Sequence, residues 1–373
     1  MVTAMRIEGF ATAEGTARFK QRHAAWAAEG HFRQWGDLWI SSVGVGTYLG
    51  ECDDADDARY AEAIAAAIHG GINLIDTAIN YRCQRSERVI GRVLSDLISR
   101  GEIARDEIVI STKGGFLPFD GSVPDDPTAY FHSEYIQHGL LTPSDVVAGC
   151  HCMSPRYLND QIDRSRANLN LQTIDLYYLH NPEMQLEDVG RSDVRQRLEE
   201  IFALFEGAVS SGTIRRYGTA TWDAYRVDPN DPSYLSLGEL IGIAHRVGGG
   251  NHHFAAIQLP YNLAMPEAAS STNHLLDGEA ISAIALARAR GLGVFCSASI
   301  LQSRLSRNLP AWLREWLPSI QTDAQRAIQF VRSTPGVTTA LVGMKQLKHV
   351  EENLALAGTP PADLSALDQL LKQ

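Results

Sequence analysis

Short apolar runs alternate with helix-like segments along most of this sequence, and this alternation restricts the fold more than any other feature. The predicted strands span residues 40–47, 73–76, 108–112, 174–179, 216–221, 256–259, 294–297 and 338–342. The predicted helices span residues 57–69, 86–97, 155–169, 195–210, 237–246, 280–289, 323–333 and 347–357. A helix after each strand favours parallel strands, and eight such units are the number that closes into a barrel. We therefore expect an α/β fold, a (β/α)8 TIM barrel, rather than an open sheet.

The chain before the first predicted barrel strand lacks this alternation of strands and helices. Residues 1–31 contain no strong strand signal, and we expect an N-terminal extension with a helix over residues 17–28. Residues 32–39 predict a short hairpin, so the barrel domain is expected to span residues 32–373. Gly44 and Gly46 lack the third glycine of a dinucleotide-binding fingerprint, so we do not expect a Rossmann domain.

The connections that follow the predicted strands are very unequal in length. The longest covers residues 114–152, and the connections at 181–194, 222–236, 262–278 and 298–321 are also long. In a barrel these connections surround the site at the carboxyl ends of the strands, and long irregular loops tend to be lids or binding loops. We expect residues 114–152 to form a lid, in which His132, Tyr135 and His138 either line the pocket or are solvated.

Charge and composition argue against several classes of function. A formal net charge of −11 argues against nucleic acid or an anionic membrane as the main partner. No apolar segment reaches the ~20 residues of a membrane span, and the N-terminus lacks the apolar region of a signal peptide. Five scattered cysteines fit a reducing compartment, so we expect a cytoplasmic protein. Cys150-His151-Cys152 lacks a supporting second ligand pair, so we expect no metal site.

Four polar residues that follow successive strands form the most informative pattern. Asp76 ends the second strand with Tyr81 in the loop after it, Lys113 follows the third strand, and His180 follows the fourth. The carboxyl ends of barrel strands meet at one mouth, so these side chains should lie close together. Each one alone has an ordinary explanation, such as a helix cap, a surface ammonium, a loop histidine or a packed tyrosine. Four of them at the same mouth are harder to explain in that way.

These residue types suit the reduction of a carbonyl group. A free tyrosine titrates near ~10, and a lysine cation beside Tyr81 should lower that pKa. A carboxylate beside the lysine keeps the ammonium charged and in position. A histidine across the mouth can hydrogen-bond a carbonyl oxygen and orient it. Together the four side chains predict a polarising pocket for a C=O group that accepts hydride at carbon and a proton at oxygen.

The segments around these residues resemble the aldo-keto reductase family. The most specific match runs from Gly71-Ile72-Asn73 through Asp76-Thr77-Ala78 to Tyr81, and continues with Ser86-Glu87 and Gly91. Further matches are Ile110-Ser111-Thr112-Lys113, Asp175-Leu176-Tyr177-Tyr178-Leu179-His180, Gly212 to Trp222, Gln258-Leu259-Pro260-Tyr261-Asn262, and Gly343 to Asn353. The resemblance covers residues 32–360 in the right order. It implies that Tyr81 is the general acid, that Asp76 and Lys113 tune it, and that His180 orients the substrate carbonyl.

The resemblance also implies an extended nicotinamide cofactor, usually NADPH, bound without a Rossmann domain. The matching cofactor-binding positions are Gly46, Thr47, Tyr48, Asp76, Thr221, Gln258, Ser297, Gly343, Lys345, His349, Glu352 and Asn353. Two segments depart from the family pattern. Ala220-Thr221 replaces the common Ser-Asn or Ser-Arg, and Ser297-Ala298-Ser299-Ile300 replaces an aromatic residue followed by Ser-Pro-Leu, with Trp222 as an alternative stacking residue. Lys345 suits a 2′-phosphate, which favours NADPH and leaves NADH open.

Several functions therefore remain open at the level of sequence. The favoured one is an NAD(P)H-dependent oxidoreductase that acts on a small carbonyl or alcohol substrate, such as an aldehyde, ketone or sugar. One alternative is a non-catalytic nicotinamide-binding sensor or regulatory subunit, which the altered Ser297 segment keeps open. Another is a cofactor-free lyase or isomerase that uses Lys113 as a Schiff-base amine. The sequence does not determine the physiological substrate, the direction of reaction or the oligomeric state.

Overall fold

The computed structural model describes residues 6–363 and contains the closed parallel barrel that the alternation predicts. Its strands, numbered β1 to β8 in chain order, are Val43–Gly46, Leu74–Asp76, Val109–Gly114, Ile174–His180, Ile214–Ala220, Phe254–Pro260, Gly293–Ser297 and Thr339–Gly343. Each strand pairs in parallel with the next one, and β8 pairs with β1. The predicted fold class is confirmed.

One helix of the outer ring follows each barrel strand. These helices, α1 to α8, are Asp54–His69, Arg85–Ser99, Pro155–Asn168, Arg191–Ser210, Leu237–Gly248, Ala283–Ala289, Asp323–Ser333 and Leu347–Leu354. The side chains of Asp53, Ser154 and Ser236 accept backbone N–H groups at the starts of α1, α3 and α5, which fixes where these helices begin. Apolar side chains from the helices bury the outside of the barrel.

The first barrel strand is shorter than the sequence predicts, because part of the apolar run belongs to a hairpin. Phe32–Trp35 pairs antiparallel with Leu38–Ser41, and the barrel strand begins only at Val43. Trp35 packs edge-on against Phe295 inside the barrel, with ring centres 5.2 Å apart. The hairpin therefore closes the amino-terminal end of the barrel, opposite the strand ends that carry the polar residues.

Several predicted helices have slightly different bounds in the structure. The helix predicted at 280–289 begins at Ala283, because His274–Leu276 pairs with Glu279–Ile281 in a hairpin. The helix predicted at 17–28 is Ala13–Arg22, joined to the barrel by Arg18 and its neighbours. The division into an extension at 1–31 and a barrel domain at 32–373 stays a prediction. Residues 1–5 and 364–373 of these ranges lie outside the described residues.

The prediction of a lid at residues 114–152 is wrong for the middle of the segment, which packs against α3, whereas Phe116 near its start lies at the mouth of the barrel. Tyr135 is fully buried and its hydroxyl donates to the main-chain oxygen of Pro118 over 2.8 Å. Glu134 pairs with Arg164 of α3. Tyr135 therefore neither lines the pocket nor is solvated, whereas His132 and His138 are exposed to solvent.

Among residues 6–363, no helix combines the length and apolar character that a membrane crossing requires.

Candidate active site

The barrel brings the four predicted polar residues together at the carboxyl ends of its strands. Asp76 at the end of β2 lies opposite Gly46 of β1 and Ser111 of β3. Asp76, Tyr81 and His180 line a cavity of about 520 Å³, and Lys113 lies buried behind them. The fold thus gathers residues that are up to a hundred positions apart in the chain.

Lys113 is the centre of this cluster. Its ammonium donates to Asp76 Oδ2 over 2.6 Å, to the main-chain oxygen of Thr77 over 2.7 Å, and to Tyr81 Oη over 3.3 Å. An ammonium has three donors, and all three are used here. Lys113 is therefore a fixed positive charge beside the Tyr81 hydroxyl.

Asp76 is held through both carboxylate oxygens. Its Oδ1 accepts hydrogen bonds from Ser111 Oγ over 2.7 Å and from Gln258 Nε2 over 2.9 Å, while Oδ2 accepts from Lys113. The sequence had suggested Gln258 as a cofactor residue and had not singled out the Ser111 side chain. In the structure the Gln258 amide nitrogen is part of the network that orients Asp76.

The pKa values of the cluster depart from the sequence-based expectation at one residue. Burial raises the pKa of Tyr81, and Lys113 offsets only part of that effect, while Asp76 adds to it. The net pKa of Tyr81 is therefore raised and not lowered, and the phenol is protonated at neutral pH. Burial lowers the pKa of Lys113, but the charge of Asp76 outweighs it, so that this pKa is raised and the ammonium persists.

His180 completes the group from the end of β4. Its ring lies edge-on to Tyr81 and Phe116, with ring centres 6.0 Å and 4.8 Å away. Burial lowers the pKa of His180 far below its ordinary value, and the charge of Lys113 lowers it further. The imidazole is neutral at physiological pH and carries one N–H group. Its Nδ1 has no hydrogen-bond partner among the described residues.

His151 has a structural role behind His180. Its Nε2 donates to the main-chain oxygen of His180 over 2.7 Å, and its Nδ1 accepts from Gln185 Nε2 over 2.8 Å. Because a carbonyl only accepts, the proton of His151 must be on Nε2. Both ring nitrogens of His151, the histidine of the Cys150-His151-Cys152 segment, therefore have hydrogen-bond partners within the protein. Within residues 6–363, no cluster of three or more His, Cys, Asp or Glu side chains is arranged to hold a metal ion.

The predicted cofactor positions divide into two groups. The cavity wall includes Gly46, Thr47, Tyr48, Asp76, Thr221, Gln258, Ser297 and Gly343, and it does not include Lys345, His349, Glu352 or Asn353. Lys345 Nζ instead bonds to Asp56 Oδ2 over 2.8 Å, and the side chain of Asn353 is buried. The structure therefore gathers eight of the twelve predicted positions at one cavity and leaves Lys345, His349, Glu352 and Asn353, which follow Gly343 in the chain, outside it.

Other wall residues come from positions that the sequence reading passed over. They are Leu49, Asn80, Phe116, Asn181, Gln302, Ser303 and Leu341, whereas Ala298, Ser299 and Ile300 belong to the segment that departs from the family pattern. Asn80 and Asn181 come directly before Tyr81 and directly after His180, so their place beside the mouth could have been inferred. Trp222 also lines the cavity, with 43% of its surface exposed, and the sequence alone could not place it.

The comparisons with known proteins agree with this arrangement. The sequence model described as Aldo/keto reductase family matches residues 42–277, which is more than half of the chain. This chain belongs to the aldo/keto reductase family. The match begins just before β1 and includes Asp76, Tyr81, Lys113 and His180.

Two curated relatives of this aldo/keto reductase family member match about half of the chain. The 6-dehydroglucose reductase of Novosphingobium aromaticivorans is 27% identical over 199 residues, 51% of this chain and 51% of that protein. The NADH-specific methylglyoxal reductase of Escherichia coli is 26% identical over 209 residues, 55% of this chain and 54% of that protein. The chain spans about half the length of the curated relatives it matches.

A solved structure extends the similarity of the fold to nearly the whole chain. An aldo/keto reductase from Klebsiella pneumoniae, solved in complex with NADP and acetate, superposes with a TM-score of 0.61. The sequences are 20% identical, and the match covers 92% of this chain and 95% of the other. At this identity the likeness shows the barrel fold.

Proposed function

We propose that this protein is an NADP(H)-dependent oxidoreductase that interconverts a small carbonyl compound and its alcohol, with Tyr81 as the general acid or base. The observation that carries the proposal is the continuous contact from Asp76 through Lys113 to Tyr81, next to a neutral His180 in one cavity. This set supplies a proton donor, a charge that stabilises its conjugate base, and a group to orient the substrate.

Tyr81 and Lys113 divide the proton transfer between them. In the direction of reduction, the Tyr81 hydroxyl gives its proton to the carbonyl oxygen and becomes a phenolate. The ammonium 3.3 Å away stabilises that phenolate, while Asp76 keeps the ammonium charged. Burial raises the pKa of Tyr81, so the residue rests in the protonated form that reduction requires. In the direction of oxidation, the phenolate accepts the proton of the alcohol.

His180 orients the carbonyl oxygen toward Tyr81. A neutral imidazole donates one hydrogen bond, and the lowered pKa keeps His180 neutral throughout the physiological range. The hydrogen bond from His151 to its main-chain oxygen fixes the backbone that carries the ring. Phe116 packs against His180 and borders the same cavity, so it keeps water from that side of the ring.

The cavity contains polar groups that suit a nicotinamide cofactor. Thr221 Oγ1 is buried at the cavity wall without a hydrogen-bond partner among the described residues, as expected of a group that forms a hydrogen bond to a ligand. Gly46 and Gly343 lie side by side on β1 and β8, and Tyr48 and Trp222 offer aromatic surface. The cofactor would supply the hydride. The NADP complex of the Klebsiella pneumoniae protein supports NADP(H), whereas the NADH-specific relative keeps NADH as the competing choice.

The Schiff-base alternative is disfavoured by the state of Lys113. A nucleophilic amine must be unprotonated and free to reach a carbonyl carbon. The pKa of Lys113 is instead raised, and its three donors are occupied by Asp76, Thr77 and Tyr81. The sensor alternative is disfavoured by the contact between Lys113 and Tyr81, because a protein that only binds a nicotinamide nucleotide has no need of a proton donor paired with a cation.

The proposed small-molecule chemistry involves neither nucleic acid nor membrane, and we propose a cytoplasmic location because all five cysteines are free thiols.

The deciding experiment is a titration of the purified protein with NADPH and NADH, followed by addition of a panel of aldehydes, ketones and sugars. Binding should change the fluorescence of Trp222 at the cavity wall, and a reducible substrate should consume the nucleotide. Tyr81→Phe should remove most turnover and leave nucleotide affinity nearly unchanged, because the hydroxyl acts in the transition state. Tyr48→Phe is the matched control, since its ring lies 5.0 Å from that of Tyr81 but its hydroxyl does not contact Lys113.

Near-normal turnover by Tyr81→Phe would refute its role as the general acid. Binding of nucleotide without consumption across the whole panel would favour the sensor function.

A further inference from the structure

Two cysteines from the loops that follow β1 and β2 lie next to each other, each a few positions after a residue of the cavity wall, Leu49 or Tyr81. The Sγ atoms of Cys52 and Cys83 are 3.3 Å apart, although 31 positions separate the residues in the chain. A disulfide bond is about 2.05 Å long, so the sulfurs need to approach by only about 1.2 Å. We propose that Cys52 and Cys83 are an oxidation site that forms a reversible disulfide bond.

The two loops that carry these cysteines are already fastened together. Arg82 donates from Nε to the main-chain oxygen of Glu51 over 2.8 Å, and from Nη2 to Asp57 Oδ1 over 2.7 Å. The main-chain oxygen of Cys83 accepts a hydrogen bond from the backbone of Gly121 over 2.9 Å. The Arg82 contact to Glu51 keeps the two loops close together, so the sulfurs stay within reach of each other.

The different exposure of the two thiols sets the order of the chemical steps. Cys83 is buried, whereas Cys52 is partly exposed and meets a dissolved oxidant first. Burial, together with the hydrogen bond in which Cys83 keeps its proton beside Cys52, raises the pKa of Cys83, so this thiol stays protonated. Cys52 is therefore the residue that reacts with the oxidant, and Cys83 is the residue that resolves the intermediate.

With hydrogen peroxide as the oxidant, the reaction balances in two steps. The deprotonated Cys52 Sγ attacks a peroxide oxygen, so that an S–O bond forms, the O–O bond breaks, and the released hydroxide takes up a proton to become water. Cys83 Sγ, losing its proton, then attacks Cys52 Sγ, so that the S–S bond forms, the S–O bond breaks and a second water leaves. The two thiols lose two electrons in total, and the peroxide gains them. A dithiol reductant restores both thiols by exchange.

The site is coupled to Tyr81 through a short and strained loop. Arg82, Cys83 and Gln84, which follow Tyr81 directly, have φ angles of +49°, +53° and +67°, in the left-handed region that non-glycine residues seldom adopt. Movement of Cys83 toward Cys52 acts on this loop. The 3.3 Å contact from Lys113 to Tyr81 is the longest of the three that the ammonium makes, so it is the first to be lost. Given the proposed function, we expect the oxidised protein to turn over several-fold more slowly.

The test treats the full-length reduced protein with hydrogen peroxide, blocks remaining thiols, and maps peptides without reduction. We expect a linked peptide pair joined through Cys52 and Cys83, a mass loss of about 2 Da, and recovery of both thiols and turnover with dithiothreitol. Cys52→Ser and Cys83→Ser should each abolish the linked pair. Cys150→Ser is the matched control, because Cys150 is also partly exposed and its removal should leave the linked pair intact.

The outcomes separate this proposal from the proposed function. Over-oxidation of Cys52 without a link to Cys83 would overturn the disulfide. A quantitative link with unchanged turnover would overturn the coupling to Tyr81. Absence of turnover in the reduced protein would count against the oxidoreductase, while the peptide map would still decide the disulfide.

Discussion

Replacement of Glu183 by glutamine should change how the stability of this protein depends on pH. Glu183 follows β4 and is buried, and its Oε1 accepts the backbone N–H groups of Trp222 over 2.6 Å and Asp223 over 3.3 Å. Its Oε2 is buried without a hydrogen-bond partner among the described residues. Burial raises the pKa of Glu183 from 4.5 to about 7, against the effect of the two backbone N–H groups.

The sign and size of the effect follow from this raised pKa. Between pH 4.5 and 7 the folded protein holds a proton that the unfolded chain has released, so the free energy of unfolding falls as pH rises. The stability is fully present below pH 4.5 and is lost as the pH passes through about 7. The rise of the Glu183 pKa from 4.5 to about 7 corresponds to roughly 3 kcal/mol of unfolding free energy. Glutamine does not ionise and can keep an acceptor oxygen toward Trp222, so it avoids this loss.

The assay is urea unfolding of the wild type and Glu183→Gln at pH 5, 6, 7 and 8. The variant should be similar to the wild type at pH 5 and more stable by about 3 kcal/mol at pH 8. His31 and His151, whose pKa values are lowered to about 4, stabilise the protein as pH rises toward 6.5, so only the difference between the two proteins isolates Glu183. Glu187 is an exposed residue in the short 3-10 helix Pro182–Glu187, which also contains Glu183. Glu187→Gln is therefore the matched control and should show no such difference.

A stability difference between Glu183→Gln and the wild type that stays constant from pH 5 to pH 8 would refute the reasoning, because it would mean that Glu183 does not titrate in this range.

Three further predictions concern the cavity and its surroundings. Asp76→Asn should lower the free energy of unfolding by about 3–5 kcal/mol at neutral pH, because it leaves the Lys113 charge buried without a carboxylate; a loss below about 1 kcal/mol in urea unfolding would contradict that. Thr221→Val should weaken nucleotide binding in a fluorescence titration and leave the thermal midpoint nearly unchanged, since its hydroxyl has no protein partner among the described residues. Lys345→Ala should weaken NADPH more than NADH, although its bond to Asp56 makes the difference modest; equal losses would show that Lys345 does not read the 2′-phosphate.

The barrel could be predicted from the sequence because its signal is local. Apolar runs and helix caps repeat along the chain, and each one identifies an element without knowledge of its neighbours. The wrong bounds arise where neighbouring segments pair as hairpins, which the apolar pattern alone does not distinguish from a longer strand or helix. The first strand was predicted too long because the apolar run of the plugging hairpin continues directly into β1. The pairing of His274–Leu276 with Glu279–Ile281 likewise removed residues from a predicted helix.

The site could be predicted in outline for a similar reason. Asp76, Lys113 and His180 each end a strand of the barrel, so topology alone brings them to one mouth. The direction of the Tyr81 pKa could not be predicted, because it depends on how deeply the phenol is buried relative to its distance from Lys113. The pairing of Lys345 with Asp56 joins positions 289 residues apart, and no local pattern indicates it.

The hydrogen bond from His151 to the main-chain oxygen of His180 also bears on which changes this barrel tolerates. The long connection between β3 and α3 meets the cavity only near its two ends, through Phe116 at one end and through His151 behind His180 at the other. Its middle part is fastened elsewhere, by the buried Tyr135 against α3. Nearer its start, the backbone N–H of Gly121 also donates to the main-chain oxygen of Cys83 in the loop after Tyr81. Insertions or exchanges between Tyr135 and His151 would therefore alter the outer surface and leave the arrangement around Tyr81 in place. New binding surface can thus be added in this part of the segment without moving the side chains of the candidate active site.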